Sequence, residues 1–73
     1  MGAAPPARWP QPDGTPVSCR EKVKVLEENW QELAEVLRDA YEDAVLMGVD
    51  PHEMKRLLAE LVAGLQPPGR GDR

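Results

Sequence analysis

The stretch Met47-Gly48-Val49-Asp50-Pro51-His52-Glu53-Met54 holds a complete helix stop followed at once by a complete helix start. Gly48 can take the left-handed conformation that ends a helix, and Val49 supplies the apolar residue that commonly folds back over such an end. Asp50 reads as an N-cap, Pro51 as a first helical residue with its φ preset, and Glu53 as the third residue of a capping box. A connector this short makes its two helices antiparallel neighbours, so the predicted fold is all-α, a two-helix hairpin.

Upstream of the turn, Val23, Leu26, Trp30, Leu33, Leu37, Ala40, Ala44 and Met47 recur at alternating steps of three and four. This is a heptad-like seam, and Tyr41 widens it. It predicts a long helix from about Ser18, where Ser18-Cys19-Arg20-Glu21 fits the capping box, to about Met47; Thr15 before Pro16 is an alternative start. The opposite face carries Glu27, Glu28, Glu32, Glu35, Arg38, Asp39, Glu42 and Asp43, a solvated acidic surface with the potential to steer a basic partner. Downstream, Met54, Leu57, Leu58, Leu61, Val62 and Leu65 form the stripe of a second helix from Pro51 to about Gly64, which Pro67 and Pro68 terminate.

The two helices differ in length, roughly 45 Å against roughly 21 Å at 1.5 Å per residue. Folding back from Gly48, the short one reaches only Leu33, Leu37, Ala40, Tyr41, Ala44 and Met47, and it leaves Val23, Leu26 and Trp30 without an intrachain lid. The hairpin domain is thus expected over 18–65. Five prolines in residues 1–17 exclude a helix and suggest a flexible arm, and residues 66–73 read as a disordered tail. Within the arm, Arg8-Trp9-Pro10 presents an aromatic that either packs loosely on the hairpin or serves as a docking anchor. The tripeptide Arg70-Gly71-Asp72 reads as part of a frayed end.

A chain of 73 residues has little core with which to offset ordering entropy, so a partner is expected. Cys19 is the sole cysteine and His52 the sole histidine, which excludes an intrachain disulfide and a Cys/His zinc site; no metal or cofactor is expected. No nucleophile and base, paired carboxylates or phosphate-cradling loop stands out, so the chain reads as a binding protein and not an enzyme. The net charge of -4 argues against direct nucleic-acid contact. Without a signal-like or membrane-length apolar run, the expected location is the cytoplasm.

From Leu37 to Leu58 the chain resembles the SinI-type anti-repressor domain. In that domain a helix with an alanine near its end runs into a Gly-Ile-Ser turn and then a Glu-Ile-Arg-x-x-Leu helix. The corresponding residues here are Ala44, Met47, Gly48, Val49, Asp50, Glu53, Met54, Lys55 and Leu58. The acidic-Trp pair of the family falls on Val36-Leu37, and Trp30 lies two turns earlier. The resemblance implies a module that binds the helical dimerisation segment of a helix-turn-helix repressor and releases it from DNA. The expected partner-binding seam is Leu26, Trp30, Leu33, Leu37, Tyr41, Met47, Met54, Leu57, Leu58 and Leu61. The alternative is a homodimeric four-helix structural or adaptor protein that recruits a client through the Trp9 arm.

Overall fold

The structure is a computed structural model that describes residues 4–68. Two helices make up an all-α helical hairpin: α1, Arg20–Leu46, of 27 residues, and α2, Pro51–Ala63, of 13 residues. Among the described residues no strand forms, only an isolated bridge between Pro10 and Pro16. The chain divides into two compact units, Met1–Ala40 and Tyr41–Arg73.

In the first unit, the arm that composition marks as flexible follows a defined turn. Gly14 N–H donates to Gln11 C=O at 2.8 Å, Gln11 N–H to Thr15 C=O at 2.7 Å, and Val17 N–H to Trp9 C=O at 2.8 Å. Gly14 sits at φ +91°, the left-handed conformation that a Cβ disfavours. Asp13 Oδ1 accepts from both Thr15 N–H at 3.0 Å and Thr15 Oγ–H at 2.7 Å, locking the loop from inside. Prolines remove donors and so exclude a helix, but Gln11, Gly14 and Val17 keep theirs, and those donors close the turn.

Helix α1 opens one residue later than the Ser18 cap suggests. Its first i→i−4 bond runs from Val23 N–H to Cys19 C=O at 2.9 Å, so Cys19 and not Ser18 flanks the helix. Cys19 thus stands where the sequence predicts Ser18.

In the second unit the hairpin turn forms as its residues dictate. Gly48, at φ +110°, donates to Val45 C=O at 3.0 Å, and Val49 N–H reaches Ala44 C=O at 2.9 Å. These are the two bonds of a Schellman stop. Asp50 is extended and its carboxylate accepts from Glu53 N–H at 2.9 Å, with Pro51 opening α2. The capping box is only half made: Glu53 turns its carboxylate to Arg56 at 2.7 Å, and Arg56 also meets Glu60 at 2.6 Å. An i,i+3 and i,i+4 pair on one guanidinium satisfies Glu53 better than a single amide does. Helix α2 ends at Gly64, whose N–H donates to Glu60 C=O at 3.1 Å. The expected tail beyond Pro68, with Arg70-Gly71-Asp72, lies outside the described residues.

Candidate protein-binding surface

None of the described residues is fully buried, so side chains sort into half-buried and exposed. On α1 the half-buried set is Val23, Leu26, Trp30, Ala34, Leu37, Tyr41, Ala44 and Val45; on α2 it is Met54 and Leu58. Six of the ten residues expected in the seam are therefore half-buried: Leu26, Trp30, Leu37, Tyr41, Met54 and Leu58. The other four, Leu33 at 56%, Met47 at 79%, Leu57 at 45% and Leu61 at 68%, are exposed.

Along α1, Val23, Trp30, Leu37 and Ala44 keep a strict seven-residue row and are half-buried. Of the second row only Leu26 is half-buried, whereas Leu33, Ala40 and Met47 are exposed. Ala34 and Val45, not expected in the seam, are half-buried in their place, beside Tyr41. Met47 also lies beyond the last residue of α1.

In the first unit Trp9 meets Trp30 edge to face, with ring centroids 5.8 Å apart and planes at 73°. Trp30 therefore has an intrachain lid, supplied by the arm and not by α2. Such a pair contributes about 0.5–1.5 kcal/mol beyond the area it covers. Trp9 Nε1 is shielded from solvent without a hydrogen-bond partner among the described residues, a cost set against that gain. Beyond Trp30, α1 carries Val25 at 53% and Val36 at 63% exposure, apolar residues absent from the expected seam. The signal for them lay in a second helical period, Val25, Asn29, Leu33 and Val36, which the first seam had partly absorbed through Leu33.

In the second unit Lys55 Nζ stands 5.6 Å from the centroid of the Tyr41 ring, which sets α2 alongside the end of α1. Around this contact Leu46, Met47, Leu57, Leu61, Val62 and Leu65 remain exposed. Leu46, missed in the sequence, extends that surface. The chemistry-bearing side chains lie at helix starts: His52 is exposed in the first turn of α2, and Cys19 is exposed at the head of α1. The amide groups of Lys22 and Glu21 hold the Cys19 thiol below its ordinary pKa, opposed by slight desolvation. Among the described residues no helix is long and apolar enough to cross a membrane. No protein-family model, curated protein or solved structure matches this chain.

Proposed function

We propose that this chain is a protein-interaction module that works by binding and not by catalysis. Its specific role is that of an anti-repressor-like antagonist, pairing the hairpin with the helical dimerisation segment of a helix-turn-helix DNA-binding protein and so blocking that protein's hold on DNA. The observation that carries the reading is the set Met47, Leu57 and Leu61, large apolar side chains left exposed beside a well-capped turn. Full burial of such a side chain contributes about 1.5–3 kcal/mol, and the share that stays exposed is left to a partner. The turn of the SinI-type resemblance is held by backbone bonds at both caps, Val49 N–H to Ala44 C=O and Glu53 N–H to the Asp50 carboxylate.

The homodimeric adaptor reading asks Trp9 to be a free anchor, whereas its ring is engaged with Trp30. For the antagonist, the test is a mobility shift with a helix-turn-helix repressor of the SinI-partner type bound to its operator. Added chain is expected to release the DNA, and Leu61→Asp, a change on an exposed side chain, is expected to abolish release while helicity is kept. Retention of the operator at saturating wild-type chain would overturn the antagonist, and a tight homodimer in sedimentation equilibrium would favour the adaptor.

A further inference from the structure

Along the first unit, α1 carries two successive shallow hollows. One is lined by Lys22, Val25 and Leu26 with Val17, Cys19 and Glu21 at its head; the next is lined by Asn29, Glu32, Leu33 and Val36. The second set stands at positions i, i+3, i+4 and i+7, which is the four-residue hole that receives one side chain of a facing helix in knobs-into-holes packing. The first holds three of the same four positions one heptad earlier, Lys22, Val25 and Leu26; the fourth, Asn29, lines the second hollow. Two holes seven residues apart, about 10.5 Å along the axis, match successive knobs on a single partner helix.

Charge selects among the helices that could lie there. Taking about 100° per residue, Glu21, Glu28, Glu32, Glu35 and Asp39 all fall about 40–100° to one side of Val36. All five are exposed, and among the described residues the only ion pair on α1 is Arg38 with Asp39 at a loose 4.0 Å. Glu28 with Glu32 and Glu35 with Asp39 are like charges at i,i+4, each destabilising by about 0.2–0.5 kcal/mol, and Arg38 stands only loosely beside Asp39. A second copy packed antiparallel would bring the same acidic flank against its own. A basic helix relieves it.

We infer that the exposed face of α1 built on Val25, Leu33 and Val36 is a docking surface for a basic amphipathic helix of another protein. That helix seats apolar side chains one heptad apart in the two hollows and lays Lys or Arg along Glu28, Glu32 and Glu35. The inference rests on the reading of the chain as an interaction module, but it uses a surface separate from Met47, Leu57 and Leu61 and does not depend on the repressor class.

The probe is a labelled 21-residue helical peptide with Leu at heptad a and d and Lys at e and g, titrated with the full chain by fluorescence anisotropy. Its control is the same peptide with Glu at e and g. The Lys peptide is expected to bind at least tenfold tighter, with the difference shrinking at high salt as screening shortens electrostatic reach. The double variant Leu33→Gln, Val36→Gln, both on exposed side chains, is expected to weaken binding at least tenfold with unchanged helicity, and Leu61→Asp to leave it as it was. Equal binding of the two peptides, no binding of either, or indifference to the double variant overturns the inference. Loss through Leu61→Asp alone overturns it while sparing the hairpin reading. A dimer that the double variant dissociates assigns the face to a second copy and also overturns it.

Discussion

Single residues decide where this chain is stiff. The carboxyl of Asp13 is held below the ordinary carboxylate value by the hydroxyl of Thr15 first and its amide second. A depressed folded pKa means the stabilisation is complete above the ordinary value and is lost as pH falls through the lower, folded one. A carboxyl-carbon NMR titration is expected to place Asp13 below its ordinary midpoint, and Thr15→Val is expected to return it; an unmoved midpoint in the variant would remove Thr15 as the cause. Trp9 poses a separate question, because its ring is engaged while its N–H is shielded and unpaired among the described residues. Trp9→Phe keeps an edge-to-face pair and deletes the orphan donor, whose burial costs about 1–3 kcal/mol. Its melting temperature is therefore expected to match or exceed wild type, whereas Trp9→Ala lowers it. Equal losses in both would mean the N–H is in use. The sequence offered packing on the hairpin as one fate of Trp9, but not Trp30 as its partner, since the two are twenty-one positions apart and nothing local links them.

At the scale of elements, the hairpin turn was readable because a cap is a local object. Gly48, Val49, Asp50 and Pro51 act on backbone groups within a few residues, and each does what its chemistry dictates. The start of α1 lies one residue past the start that a Ser18 cap suggests, as Val23 N–H bonds to Cys19 C=O, a difference within the ordinary play of helix ends. The other end of α1 is electrostatically unfavourable: its last turn has no basic residue, and Asp43 adds negative charge to the C-terminal pole. Asp43→Lys is expected to stabilise the chain by about 0.3–1 kcal/mol, read as a rise in the thermal midpoint at low salt that fades at high salt. A lowered midpoint would show that Asp43 serves some contact the helix itself does not need.

At the scale of the molecule, the absence of any fully buried side chain among the described residues sets the expected energetics. Folding that hides so little surface gives a shallow urea transition, with an m-value below about 1 kcal/mol/M, the lower end for small proteins. Circular dichroism of the isolated chain in a urea series checks this; a steep, concentration-independent transition would reveal a core that this structure does not hold. The sequence by itself determined the two helices, the turn between them and the acidic bias of α1, because helix period, capping and charge are properties of neighbours along the chain. It determined only part of the inward-facing set. Tertiary structure decided that Ala34 and Val45 join the half-buried row and Leu33, Ala40 and Met47 do not, since what covers a side chain is another part of the chain, which helix periodicity does not specify. It also decided that the Pro-rich arm covers Trp30, because an edge-to-face pair forms only when a closed turn brings Trp9 back to α1.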